Sequence, residues 1–177
     1  MKLLRPKERA PSVHEIDYDR FWKQGIRALL FDLDNTLCLW RSSLPGEEVL
    51  TLLRKLKERG FTVAVVSNGL LSKRPDLLRT FQKLEVPVIW RAAKPLPRGI
   101  RRAMETLGAK PGETALIGDQ LLTDVLGGNL AGLYTVLVEP IDLSHESLFT
   151  KFNRLLERWL SGPGLKGPRT PGPRSAR

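Results

Sequence analysis

The sequence predicts a doubly wound α/β fold built on a mainly parallel, five-stranded sheet, and three observations predict it. Five nearly continuous apolar runs of strand length recur at 26–34, 61–68, 86–90, 114–119 and 134–140. Helical patterns alternate with them, and the connections between are short. Strict β-α-β alternation of this kind specifies parallel strands covered by helices and joined by right-handed crossovers.

Each element has its own signal. The runs IRALLFDLD, FTVAVVSN, VPVIW, TALIGD and YTVLVEP are dense in Val, Ile, Leu and Phe, as strands buried on both faces require. Helices are expected over 46–59, 75–84, 97–107 and 121–131. Pro75 and Pro97 stand at first-turn positions, and Gly60 and Gly108 stand where helices end in a left-handed residue. A last amphipathic pattern over 148–160 carries Phe149, Phe152, Leu155, Leu156 and Trp159 at helical spacing. No internal repeat is visible.

At 177 residues the chain has room for one domain. With 41% hydrophobic and 27% charged residues it is neither disordered as a whole nor fibrous. The net charge of +10 is concentrated at the ends. Residues 1–11 form a basic N-terminal arm of +3. Residues 161–177, with four Gly, four Pro and four cations, form a basic tail expected to be disordered. Residues 12–160, the predicted domain, keep only +3, so the excess is poor evidence for a nucleic-acid-binding fold, and no stable nucleic-acid partner is expected. No signal-peptide core or membrane span is visible, and the single cysteine, Cys38, forms no internal disulfide. A cytoplasmic protein is expected, with Cys38 as a core residue and His14 and His145 at the surface.

In doubly wound folds ligands bind beyond the carboxyl ends of the strands. Polar residues from four segments fall at that edge: Asp32-Leu33-Asp34-Asn35-Thr36 at the end of the first run, Ser67-Asn68 at the end of the second, Lys94 after the third, and Gly118-Asp119 at the end of the fourth. With strand order 3-2-1-4-5, Asp32, Asp34, Asp119 and Asp124 converge. Two carboxylates ~4 Å apart repel by about 4 kcal/mol at an effective dielectric near 20, so the group needs counter-charge. Lys94 supplies one positive charge. An oxygen-only ligand set points to Mg2+ for the rest.

These residues resemble the four motifs of the haloacid dehalogenase superfamily of phosphohydrolases. Asp32-Leu33-Asp34-Asn35-Thr36-Leu37 is similar to its first motif, Ser67-Asn68 to the second, Lys94-Pro95 to the third, and Gly118-Asp119-Gln120-Leu121-Leu122-Thr123-Asp124 to the fourth. The resemblance covers roughly residues 25–140. The runs at 16–37, 118–132 and 134–140 are most similar to the YqeG-type branch of the class III members. One departure is Asn68-Gly69, where that branch commonly has two asparagines after the serine.

The resemblance implies an HAD-like Rossmannoid fold and a phosphatase working through an aspartyl-phosphate. Asp32 would be the nucleophile and Asp34 the general acid and base. Ser67, Asn68 and Lys94 would bind phosphate. Asp32, Asp34 and Asp119 would make the metal site, with a main-chain contribution from Leu33. Thr36 would support the site, and Asp124 would orient Lys94 or a metal-bound water. An aspartate two positions after the nucleophile favours phosphate monoesters over halogenated substrates. About 30 residues separate Asp34 from Ser67 and about 26 separate Ser67 from Lys94, too few for a cap domain. An open site is expected, covered by a short flap over 39–45 that carries Trp40 and Arg41.

The branch is similar to phosphatidylglycerophosphate phosphatases, which implies a lipid head-group phosphate as substrate. The basic termini would then hold the enzyme at the inner face of an anionic membrane. Two alternatives stay open: a phosphatase of a soluble sugar phosphate, nucleotide or nucleic-acid end, and a regulatory protein that binds RNA or the ribosome. The oligomeric state is not legible in the sequence.

Overall fold

The computed structural model describes residues 2–39, 44–70 and 74–142. The flap residues Trp40 and Arg41, the helix expected over 148–160 and the basic tail lie outside them. In chain order the elements are β1 (Glu8–Ala10), α1 (Tyr18–Lys23), β2 (Ala28–Phe31), α2 (Glu47–Glu58), β3 (Thr62–Val66), α3 (Pro75–Lys83), β4 (Val88–Ile89), α4 (Pro97–Leu107), β5 (Thr114–Gly118), α5 (Leu126–Leu130) and β6 (Tyr134–Val138).

All six strands are parallel, in the order β1-β6-β5-β2-β3-β4. For the five strands expected from the apolar runs, this is the predicted 3-2-1-4-5 arrangement. The sixth strand corrects the count. Glu8–Ala10 lies inside the expected basic arm and pairs with β6, Arg9 opposite Leu137. It was illegible because an edge strand that buries only Ala10 carries no apolar run. Helix α1 was also missed, since six residues are too few to display a helical period; Asp17 caps it by accepting from the Arg20 N–H at 2.9 Å.

Alternation along the strands sends side chains to two cores. Leu29, Phe31, Val63, Val65, Ala115 and Ile117 point to the face covered by Phe21 of α1, Leu53 and Leu56 of α2, and Leu77 and Phe81 of α3. Leu30, Ala64, Val66 and Leu116 point to the opposite face, covered by Ile100, Ala103 and Met104 of α4. Because both faces are buried, the strands read as continuous apolar runs instead of alternating ones. Gly108 ends α4 at φ 63°, and Gly60 follows α2 at φ 102°, both in the left-handed region that glycine adopts without penalty.

The fourth helical pattern, expected over 121–131, is irregular. A π-helical turn, Leu121–Val125, precedes the short α5. Widened turns of this kind are frequent at functional sites, and Asp124 sits within this one.

Removal of residues 1–11 would expose the unpaired edge of β6, whose Thr135, Val136 and Leu137 are buried. The expected loss is on the order of 2 kcal/mol, from a few net hydrogen bonds at about 1 kcal/mol each. It should be read as a lower urea midpoint together with concentration-dependent association; an unchanged midpoint would show that β1 contributes no stability.

Candidate active site

The polar residues expected at the carboxyl edge meet there because β2, β3 and β5 are adjacent and parallel. Asp32 directly follows β2, and its N–H still donates to the Ile117 carbonyl of β5 at 2.9 Å. Asp119 directly follows β5. Lys94 lies five residues past β4, and its ammonium reaches across the sheet edge between two carboxylates. Lys94 Nζ stands 2.5 Å from Asp32 Oδ1 and 2.6 Å from Asp124 Oδ1. All three side chains are buried.

Asp124 is held from its other side as well, its Oδ2 accepting from the Gln120 N–H at 3.0 Å. This approach requires Gly118. A Cβ at that position would lie 2.3 Å from Asp124 Oδ2.

Asn68, expected to bind phosphate, instead uses both ends of its amide on the main chain of Lys94. Its Oδ1 accepts from the Lys94 N–H at 2.8 Å, and its Nδ2 donates to the Lys94 carbonyl at 3.0 Å. Asn68 therefore fixes the backbone from which the ammonium projects. Ser67 is buried, and its hydroxyl accepts from the Gly69 N–H at 3.0 Å. Thr36 donates its hydroxyl to Asp119 Oδ1 at 3.4 Å.

Two of the expected metal contacts are otherwise engaged. The Leu33 carbonyl accepts from the N–H groups of Leu37 (2.9 Å) and Cys38 (3.1 Å), so it is turned into the 33–38 turn and both its lone pairs are occupied. The Asp34 carboxylate is paired with Arg74, Nη1 to Oδ1 at 2.6 Å. Single carboxylate oxygens of Asp32, Asp119 and Asp124 all lie within 4.8 Å of one another. Arg74 is the site residue that sequence reasoning missed. It precedes α3 in a connection with no motif of its own, and only the fold brings it to Asp34, 40 positions away.

The electrostatics follow from burial. Asp119 is pushed up to about 9, chiefly by burial, with Asp32 and Asp124 adding and Lys94 opposing. Asp32 is pushed up to about 7, again first by burial, with Asp124 adding and Lys94 holding it down. Burial also works against the Lys94 ammonium, but the carboxylates of Asp124 and Asp32 more than offset it and hold its pKa above the ordinary lysine value. Cys38 is likewise pushed up to about 11 by burial and stays a thiol.

Three carboxylates against one ammonium leave two negative charges in a desolvated site. Asp119 Oδ2 is buried with no hydrogen-bond partner among the described residues. A buried oxygen without a partner is costly, and a hard divalent cation satisfies it and cancels the surplus charge. The donor set therefore fits a hard divalent cation, with Asp119 and Asp32 as the side chains that would hold it. Asp124, engaged by Lys94 and Gln120, orients the lysine.

A buried carboxylate with a lysine beside it and an aspartate at the end of the next strand sit together at the carboxyl edge of a doubly wound sheet. The family model for haloacid dehalogenase-like hydrolases matches residues 42–132. The chain is 34% identical over 157 residues to the protein of Bacillus subtilis (strain 168) named probable phosphatase YqeG, covering 89% of each. It therefore belongs to the haloacid dehalogenase-like hydrolases and is a phosphoric monoester hydrolase. The chloroplastic phosphatidylglycerophosphate phosphatase 1 of Chlamydomonas reinhardtii is 30% identical over 171 residues, which span 90% of this chain and 63% of that protein. Among solved structures, the cobalt-bound deoxy-D-mannose-octulosonate 8-phosphate phosphatase of Haemophilus influenzae shares the fold at a TM-score of 0.52 and 18% identity. That match covers 73% of this chain and 75% of the other.

Two predictions follow from the charge and the packing. Asp119 and Asp32 bind protons more tightly folded than unfolded, so metal-free stability falls as pH rises from the ordinary aspartate value near ~4 through about 7 and 9. Millimolar magnesium replaces those protons, so the rise in Tm it causes should be larger near pH 8 than near pH 6 and largely absent in Asp119→Asn. A pH-independent rise, or an equal one in the variant, would contradict the assignment. Separately, Gly118→Ala should displace Asp124 and with it Lys94, lowering phosphatase kcat about a hundredfold at a stability cost of about 1–3 kcal/mol, measured by steady-state kinetics and urea unfolding.

Proposed function

We propose that the chain is a magnesium-dependent phosphomonoesterase that works through an aspartyl-phosphate on Asp32 and acts on a phosphate carried by a lipid head group, converting phosphatidylglycerophosphate to phosphatidylglycerol. The observation that carries the chemistry is the buried Asp32–Lys94–Asp124 array beside the partnerless oxygen of Asp119. A carboxylate oxygen of Asp32 attacks phosphorus as the bond to the leaving alcohol breaks, and Asp34 delivers a proton to that alcohol. Asp34 then takes a proton from the water that opens the phosphoaspartate, which returns Asp32 and releases phosphate. Lys94 offsets charge on the nucleophile and on the phosphoryl oxygens, and Ser67 hydrogen-bonds the transferring group. When bound, the divalent cation neutralises phosphoryl oxygens and keeps Asp32 ionised.

Two observations favour a lipid-borne phosphate. One is the similarity to a phosphatidylglycerophosphate phosphatase. The other is the rim of the site. Among the described residues seven large hydrophobic side chains are exposed. Five of them, Leu39, Leu44, Leu70, Leu96 and Ile141, lie on connections that leave the carboxyl ends of β2, β3, β4 and β6. Ile141 is tied to the first of these connections, its N–H donating to the Asn35 carbonyl at 2.9 Å. Apolar side chains concentrated around a phosphate site suit acyl chains or a bilayer interface better than a soluble sugar phosphate. On this reading the carboxyl edge of the sheet is the face that meets lipid. The basic stretch at 161–177 would be drawn to the same anionic surface at about 1 kcal/mol per cation. No helix among the described residues is long and apolar enough to cross a membrane, which accords with contact from one side.

Purified protein with magnesium should hydrolyse 4-nitrophenyl phosphate and, far more efficiently by kcat/KM, phosphatidylglycerophosphate in mixed micelles. Asp32→Asn should abolish both. If only soluble sugar phosphates, nucleotides or nucleic-acid ends turn over, the lipid assignment fails. If no ester does, the catalytic reading fails with it.

A further inference from the structure

Arg74 is mostly buried at the edge of the site, where it pairs with Asp34. Among the described residues its guanidinium contacts two side chains of the turn that follows β2. Nη1 lies 2.6 Å from Asp34 Oδ1, and Nη2 lies 3.4 Å from Cys38 Sγ. Those two residues face each other across a single bridge, with the Asn35 N–H donating to the Cys38 carbonyl at 2.7 Å. A planar guanidinium held at two points fixes orientation in a way a lysine ammonium does not.

The two oxygens of Asp34 then have different surroundings. Oδ1 is taken by Arg74. Oδ2 faces the side of Ser67: a Cβ on Gly69 would lie 3.7 Å from Asp34 Oδ2 and 3.2 Å from Ser67 Oγ. Gly69, the residue by which this chain departs from the paired asparagines of similar sequences, adds no side chain there.

We propose that Arg74 is the positioning residue for proton transfer by Asp34, clamping Oδ1 so that Oδ2 is presented to the leaving oxygen of the substrate. Cys38 serves as the second seat of the clamp. The inference rests on the proton-transfer role of Asp34 proposed above. In the step concerned, the phosphorus–oxygen bond to the alcohol breaks while Asp34 Oδ2 gives that oxygen its proton. A displaced carboxylate fails at this step in proportion to how much the leaving group needs the proton.

The test compares two esters by kcat/KM, which reports the steps up to release of the alcohol. An alkyl phosphate such as glycerol 3-phosphate expels a strongly basic alkoxide, whereas 4-nitrophenyl phosphate expels a phenolate that departs unprotonated. Arg74→Ala should lower kcat/KM about a hundredfold on the alkyl ester, within the range general acid catalysis provides, and at least ten times less on the aryl ester. Arg74→Lys should show the same ester dependence with a smaller loss, and it serves as the informative variant if the alanine protein does not fold. Combining Arg74→Ala with Asp34→Asn should add nothing to the loss from Asp34→Asn alone. Equal losses on both esters would mean that Arg74 acts on the phosphoryl group or on the fold, and no loss would mean that Asp34 needs no clamp. Either result overturns the proposal, as does full additivity in the double variant. Wild-type turnover of both esters is the control: if it is absent, the phosphatase mechanism fails first, independently of Arg74.

Discussion

A lysine ammonium held between two buried carboxylates is the interaction on which the rest of the site depends. Lys94 lies 2.5 Å from Asp32 and 2.6 Å from Asp124, and all three are withdrawn from solvent. Each ion loses several kcal/mol of hydration on burial, and the loss is recovered only if the geometry is good and every remaining lone pair or proton is satisfied. Much of the local structure meets that condition. Asn68 grips the lysine backbone from both sides. Gln120 donates its N–H to the second oxygen of Asp124. Gly118 gives up a side chain so that Asp124 can lie against the strand end, and the π-helical turn lets Asp124 reach inward.

The same array leaves one requirement unmet, and the unmet requirement is functional. Asp119 brings a third carboxylate into the desolvated space, with Thr36 reaching only one of its oxygens. A site that would carry two surplus negative charges with its three aspartates ionised is matched to positive charge arriving from outside. That charge is also what a phosphoryl group with its own negative oxygens needs in order to enter a pocket lined by aspartates. A single ammonium stabilises the resting site without saturating it.

Much of this was legible in the sequence because parallel sheets buried on both faces write themselves as dense apolar runs, and because the residues after each run share one edge whatever the details of packing. The placement of Asp32, Ser67, Lys94 and Asp119 at one edge was legible in this way. The misses have physical causes. Glu8–Ala10 is an edge strand that buries one side chain, so no hydrophobic signal betrayed it. The Leu33 carbonyl was expected at the metal, but hydrogen bonds inside a tight turn decide where a carbonyl points, and Leu37 and Cys38 take this one. Asn68 was assigned to phosphate by its place beside Ser67. Its amide instead braces Lys94, a contact 26 positions away.

The sequence by itself determined the fold class, the order of the five principal strands and the edge at which chemistry gathers, since local periodicity and the rules of parallel sheets suffice for all three. Only the tertiary structure decided the pairing of charges: that Lys94 bridges Asp32 and Asp124, that Asp124 lies beside Asp119, and that Asp34 turns to Arg74. Ion pairs form over a few ångströms between residues tens of positions apart. Which carboxylate faces which cation is therefore set by side-chain packing across neighbouring strands, and it leaves no periodic trace along the chain.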